Sequence, residues 1–315
     1  MLARLLLPLM LLVPALACAA KAPAIPDHQA VKVADGVWVI HGPMEQPNAD
    51  NRGFMNNPAW VETSAGVVIV DPGSSVQVGD MVLRMLRAHT DAPIAAVLNT
   101  HEHGDHWLGN QAIRDAYPEV PIYAHPNMIA KLDTGLGETW IDLMHTLTNG
   151  ATDGTVPVGP TLPLDDGDVI AIGDRTFNIH HKGPAHTHSD IMIEVPELKL
   201  LFGGDNVING RLVRLDDGQI AGSIGSLDYA LTLDLAVVVP GHGLTGGSEI
   251  VREYRDYLDA LHSTVVRLFA EGQSDFEMKD AVVEACARWS KWAGFDDEIG
   301  RNLNRAYLEV EAAAF

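Results

Sequence analysis

An α/β fold is what the sequence predicts, on three observations: short apolar runs rich in Val and Ile, stretches of helical spacing between them, and turn residues at their borders. The 315-residue chain is 47% hydrophobic and 20% charged, an ordinary globular composition long enough to bury a substantial core. Residues 31–40 read as two short strands around Asp35-Gly36, and residues 60–70 repeat the pattern around Ser64 to Gly66. Val, Met and Leu recur at helical spacing over residues 78–89; residues 93–99 read as a buried strand, 108–117 as a helix and 120–124 as a strand. Residues 134–163, rich in Gly, Thr and Pro, read as a long excursion of the kind that is functional or disordered. Strands are expected at 169–172, 176–180, 191–195, 198–202 and 236–239, and the tail from 248 to 314 reads as wholly helical. Neither a fixed-period repeat nor a low-complexity tract interrupts this order.

Residues 1–20 stand apart from the fold. A short basic start, Met1 to Arg4, runs into a nearly continuous apolar segment over residues 5–17, with small residues from Ala15 to Ala20. That is the pattern of a secretory signal peptide, its apolar run too short for a comfortable bilayer span. Periplasmic or secreted localisation is therefore expected, with cleavage near Ala20 and no stable membrane insertion afterwards. Leu16-Ala17-Cys18 also resembles a lipoprotein box, but Ala15 stands where a bulky aliphatic is usual. With Cys18 removed, Cys286 is the one remaining thiol and no disulfide framework exists; it falls in an apparent helix, 280–292, as a core residue. Acidic residues outnumber basic ones by 42 to 21, a formal charge of −21 that repels nucleic acid and anionic lipid and leaves a small molecule as the expected partner.

Chemistry concentrates where the 93–99 strand ends. Thr100-His101-Glu102-His103-Gly104-Asp105-His106 puts three histidines and an aspartate on a loop leaving an apolar strand. These side chains are metal donors: His101 and His103 can face one ion while Asp105 and His106 turn toward a second. One such cluster leaves both ions under-coordinated, so further donors are expected downstream. Three segments supply them, each at the end of a buried strand: Gly183-Pro-Ala-His186-Thr-His188-Ser-Asp190, Leu201-Phe-Gly-Gly-Asp205-Asn206 and Val239-Pro-Gly-His242-Gly243. Together they fit a cleft at one rim of a sheet sandwich.

This succession of motifs, from about residue 31 to 242, resembles the metallo-β-lactamase superfamily. The resemblance implies an αββα sandwich over residues 21–247 with its metal site between the two sheets. The helical segment 248–315 then packs on that domain or mediates dimers. It also implies that His101, His103 and His186 hold a first zinc, that Asp105, His106 and His242 hold a second, and that Asp205 bridges the two. Asp71, in Ile-Val-Asp-Pro-Gly, matches the family's acid that orients the site from behind; a simple turn residue before Pro-Gly reads nearly as well. His188 competes with His186, but the family turn places the ligand directly before Thr, which leaves His188 behind the ligands or at the rim. His180 and His181 read as structural, and His125, in Tyr-Ala-His-Pro, as ending a strand near the site without binding metal.

The implied activity is hydrolysis of an acyl bond (a β-lactam amide, thioester or ester) by a hydroxide bridging two zincs, with Asp105 orienting the water and relaying its proton. Asp205 stands where the best-known secreted β-lactamases carry Cys, and Ile208 where they carry a Lys that anchors the drug's carboxylate. Arg211 or Arg214 can replace that anchor or be surface charges. The bridging Asp, His41-Gly42, Asn51-Arg-Gly-Phe54 and the turn at 184–190 are most similar to a periplasmic branch associated with quinoproteins and sulfur oxidation. Two other readings stay open: a persulfide dioxygenase-like enzyme using one iron, and a non-catalytic metal-binding protein. Around the site, residues 44–57 can close over a ligand, Trp107 can line the cleft or pack in the core, and the 135–160 excursion can form a wall.

Overall fold

The computed structural model describes residues 20–314, so the signal-peptide reading of residues 1–19, Cys18 included, lies outside the described residues. The first sheet begins as an antiparallel meander of β1 (Ala30–Ala34), β2 (Val37–Ile40), β3 (Ala59–Thr63) and β4 (Gly66–Val70). It continues in parallel through β5 (Ile94–Leu98), β6 (Ile122–Ala124) and β7 (Leu162–Pro163), seven strands in sequence order. Helix α1 (Val76–Arg87) crosses from β4 to β5, α2 (Gly104–Trp107) and α3 (Asn110–Ala116) from β5 to β6, and α4 (Pro126–Leu132) and α5 (Leu136–Thr148) from β6 to β7. The second sheet has the order β12-β11-β10-β9-β8, built from β8 (Val169–Ile172), β9 (Arg175–His180), β10 (Met192–Val195), β11 (Leu200–Ile208) and β12 (Val237–His242). Helix α6 (Ile220–Ala230) makes the crossover to β12, and α7 (Ser248–Ala270), α8 (Lys279–Ala285) and α9 (Phe295–Ala314) follow.

Alternation along the strands explains the four layers. In β4, every residue of Gly-Val-Val-Ile-Val is buried, because the sheet is covered on both faces. Val68 and Val70 point inward to meet Phe177, Ile179, Ile193 and Phe202 of the second sheet. Val67 and Ile69 point outward to meet Val78, Met81, Val82 and Leu86 of α1. Ser75 caps α1, its hydroxyl accepting from Val78 N at 3.2 Å, and Arg84 and Arg87 sit in the last turn where the helix dipole favours them. On the far side of the second sheet, Leu201 and Val238 share a cluster with Leu227 of α6, Val251 and Leu258 of α7, Val282 of α8 and Leu303 of α9. The architecture is therefore αββα, with the C-terminal helices packed on the sandwich. No helix among the described residues is long and apolar enough to cross a membrane.

Three expectations change. Residues 134–163 are not a structureless excursion: they contain the 13-residue α5, set between Gly135 and Asn149, both in left-handed conformation. The tail is not wholly helical, breaking after Ala270 and again after Ala285, where buried Cys286 closes α8. The strand expected at 198–202 starts at Leu200, after a 3₁₀ turn, and runs on to Ile208, so Asp205 lies within a strand that shifts register against β12.

Replacing Phe177, fully buried between the sheets, by Ala is expected to lower the unfolding free energy by about 3–5 kcal/mol, read from urea denaturation.

Candidate metal centre

The loop after β5 carries the first donors to the rim of the sandwich. His103 stands at the N-terminus of α2, which turns Asp105 and His106 inward within one turn. Gly104 is required there, since a Cβ would lie 2.7 Å from the Trp140 indole packed against it. From the other sheet come His186 in the turn after β9, Asp205 in β11 and His242 at the end of β12. The carboxylate of Asp205 reaches the centre only because residue 241 is glycine: a Cβ on Gly241 would stand 1.9 Å from Asp205 Oδ1.

Two donor groups result, His101, His103, His186 and Asp205 in one and Asp105, His106 and His242 in the other, with the donor atoms of each group within 4.8 Å of one another. Asp205 lies between them: Oδ2 is 3.4 Å from His186 Nε2, 4.0 Å from His101 Nε2 and 3.4 Å from His242 Nε2, while Oδ1 is 3.2 Å from His106 Nε2. Asp105 Oδ2 is 3.2 Å from His242 Nε2 and 3.4 Å from His106 Nε2. Donors on a tetrahedral zinc are separated by about 3.3 Å, so these spacings match what such an ion imposes. His101 Nε2, His106 Nε2 and Asp205 Oδ1 are buried without a hydrogen-bond partner, which a metal ion would satisfy. The donor set therefore fits a pair of divalent ions.

The outer nitrogens are held from behind, as metal-binding imidazoles require. His106 Nδ1 meets Asp71 Oδ2 at 2.8 Å, His101 Nδ1 meets Thr100 Oγ1 at 3.0 Å, His103 Nε2 meets Asp217 Oδ2 at 3.0 Å, and His242 Nδ1 donates to Met55 O at 2.9 Å. Asp71 also accepts from Thr100 N at 2.8 Å and from Thr100 Oγ1 at 2.6 Å. It does so from a left-handed backbone, φ +49°, a strain tolerated here because both carboxylate oxygens are committed. Asp71 is thus more than a turn residue. Asn57 clamps the β12 end, donating to Pro240 O at 2.8 Å and to Gly243 O at 2.7 Å.

Electrostatics divides the imidazoles. Burial, reinforced by neighbouring histidines, holds His101 well below the usual value, and burial takes His186 down to about 4. Both are neutral and present a lone pair. His106 and His242 go the other way: burial opposes the shift, but Asp105 and Asp205 raise His106, and Asp205 raises His242. Burial likewise opposes ionisation of Asp105 and Asp205, yet the facing imidazoles of His106 and His242 hold both carboxyls below their usual range.

His188 is exposed and belongs to neither group; its backbone carbonyl accepts from Asn127 Nδ2 at 2.7 Å. His180 pairs with Glu194 at 3.0 Å, and His125 stacks on His181 at 4.0 Å; none of the three belongs to a donor group. Trp107 is a fully buried indole donating to Glu102 O, so it packs in the core. A cleft of about 190 Å³ opens over the donors, walled by Met55, Trp140, Leu143, Leu147, Arg211 and Val213 among others. The 135–160 excursion does wall the cleft, through Trp140, Leu143 and Leu147 of α5, although these residues and Asp217 were not singled out in the sequence. Leu136, Trp140, Leu143 and Leu147 do carry helical spacing, masked by the Gly-rich flanks. Asp217, in Leu-Asp-Asp-Gly, carries no distinguishing signal.

Two outcomes are expected in metal titrations. Because His106 and His242 are raised in the metal-free protein, they must shed protons to coordinate; uptake near neutral pH should release protons, and affinity should fall as pH drops, both measurable by calorimetry in buffers of different ionisation enthalpy. Asp71→Asn removes the charged partner of His106 and should weaken metal affinity about 10- to 100-fold.

Comparison with known proteins agrees with this geometry. The metallo-beta-lactamase superfamily matches residues 51–242, more than half of the chain. A hydroxyacylglutathione hydrolase of Gloeobacter violaceus is 29% identical over 181 residues, covering 56% of this chain and 58% of that protein. The human acyl-coenzyme A thioesterase MBLAC2 is 32% identical over 169 residues, covering 50% and 58%. These matches therefore span little more than half the length of either relative. Among solved structures, a metallo-beta-lactamase from Pontibacter korlensis aligns with TM-score 0.55 at 20% identity, over 73% of this chain and 98% of its own, a likeness of fold. With the family match spanning all seven donors, the chain belongs to the metallo-beta-lactamase superfamily.

Proposed function

We propose that this chain is a binuclear zinc hydrolase of acyl bonds, acting after export on a small molecule, with thioesters as the first class to try and β-lactams and esters after them. The observation that carries the reading is the Asp205 carboxylate, within 4 Å of imidazoles from both donor groups at the floor of a largely apolar cleft. Thioesters come first because the human relative is named a thioesterase. Export rests on the leader pattern of residues 1–20.

His101, His103, His186 and Asp205 would hold one ion, and Asp105, His106, His242 and Asp205 the other. Bound there, the pair supplies Lewis acidity toward an acyl carbonyl and a nucleophile at neutral pH. The protein's own part is positional. Asp71 and Asp217 fix the ring planes of His106 and His103, and Met55 O fixes that of His242. Asp105, which lines the cleft, would orient the attacking water and relay its proton to the leaving group as the acyl bond breaks.

Metal analysis of protein purified from the periplasm should give two zincs per chain, with turnover of a chromogenic thioester or β-lactam lost on chelation. Asp105→Asn should lower kcat by about 10²- to 10⁴-fold with the fold intact by circular dichroism. One iron and no hydrolysis would overturn the proposal in favour of persulfide oxidation; tight metal with no turnover on any acyl substrate would favour a binding protein.

A further inference from the structure

We propose that α9 is a positioning element for the first donor group: Arg305 and Glu309 hold residues 217–222, and through that segment they set the donors His103 and His186. This rests on the binuclear reading above and deepens it by giving the two ions different support.

The observation behind it is a polar stripe along α9. Glu298, Asn302, Arg305 and Glu309, spaced four, three and four residues apart, share one helix face. All four meet the connection from β11 to α6 or the start of α6 itself. Glu298 engages Arg214 at 3.6 Å, and Asn302 Nδ2 donates to Val213 O at 3.0 Å. Arg305 Nη2 donates to Gly218 O, and Glu309 accepts from Ile220 N at 2.7 Å and from Ala221 N at 3.0 Å. The Gln219 side chain caps none of the α6 amides. Glu309 takes that role from the tail, satisfying amides that a helix start leaves free with a charge the helix dipole favours.

Attachment of the tail does not depend on this stripe. Phe295, Ile299, Leu303 and Ala306 already bury α9 in the apolar cluster behind the second sheet. What the stripe adds is a fixed place for residues 213–221, and two donors depend on that place. Asp217 Oδ2 lies 3.0 Å from His103 Nε2 although the Asp217 side chain is 58% exposed, so its backbone, rather than side-chain packing, sets the contact. Gly218 lies flat against the turn that carries His186: a Cβ there would collide with the carbonyls of Ala185 and His186, and one on Gly222 with that of Pro184. Gln219 N then donates to Ala185 O at 2.7 Å. One clamped segment thus touches both His103 and the His186 turn. The second donor group is supported from the first sheet's connections instead, His106 by Asp71, His242 by Met55 O, and the β12 end by Asn57. Metal–ligand distances tolerate errors of about 0.2 Å, so a small shift of residues 217–222 is enough to loosen the first ion.

The test titrates the full chain, stripped of metal, with cobalt(II), whose visible absorption reports each site as it fills. Arg305→Ala and Glu309→Ala should each weaken the ion that Asp217→Asn weakens, by about tenfold, and leave the other at its wild-type affinity. Arg305→Lys, which keeps a donor for Gly218 O, should recover most of the loss. Leu303→Ala, which loosens α9 through the apolar cluster alone, should lower stability in urea and leave both ions bound as in the wild type. Should an alanine variant fail to fold by circular dichroism, Glu309→Gln, which keeps one acceptor oxygen, should show a smaller loss of the same ion. Folded alanine variants with wild-type affinity for both ions overturn the proposal, as does a weakening that Leu303→Ala reproduces. Affinity is read without turnover, so the two readings fail separately. A chain whose first ion follows Arg305 and Glu309 but that cleaves no acyl substrate loses the hydrolase reading alone. One that cleaves acyl bonds and holds both ions equally in every α9 variant loses the proposal alone.

Discussion

The arrangement depends on one close approach, that of β11 to β12 where Asp205 passes Gly241. Neither sheet owns the donor set: His101, His103, Asp105 and His106 leave β5, while His186, Asp205 and His242 belong to the second sheet. The two contributions meet only if a carboxylate can stand at the seam, and only a residue without a side chain at 241 leaves room for it. A neighbouring constraint supports this one. Asn57, from the first sheet's connection, donates to Pro240 O and Gly243 O, fastening the β12 end to the opposite half of the sandwich. Asp71 does the corresponding work behind His106 at the cost of a left-handed backbone, which the local hydrogen bonds over-determine.

Much of this was legible in the sequence for a simple reason. The donors fall in short motifs whose chemistry is local: His101 to His106 share one loop, and His186, Asp205 and His242 each sit beside glycine, alanine or proline. The β4 and β5 runs were equally plain because a sheet covered on both faces is apolar without interruption. What escaped detection depends on distance along the chain. Helix α5 was hidden by Gly135 and Asn149-Gly150, which read as loop although they only bound a helix. Asp217 meets His103 from 114 positions away, and no feature of an exposed acidic loop announces such a contact. Arg211 was visible as a cation but not as a buried one, because the stretch that carries it is held by residues 293 and 302, far along the chain.

That packing gives the C-terminal helices a part in the cleft. They contribute no donor, yet Ala293 and Asn302 fix residues 210–213, and Glu298 engages Arg214. The same helices share one apolar cluster with β11 and β12, the strands that bear Asp205 and His242. Tail, sheet and cleft wall are a single packed unit.

Drawing ligands from both sheets also changes what the inter-sheet core is for. Metal sites tolerate errors of only about 0.2 Å in ligand distance, a tighter demand than stability makes of a core, which accepts many apolar combinations of similar volume. Side chains such as Phe177, Ile193 and Phe202 therefore act as spacers that set the alignment of the two halves. A substitution among them can leave the chain folded and still misalign the donors. The evolutionary consequence is that drift in this layer is limited by calibration before it is limited by folding, so remote core changes can be silent in expression and loud in activity.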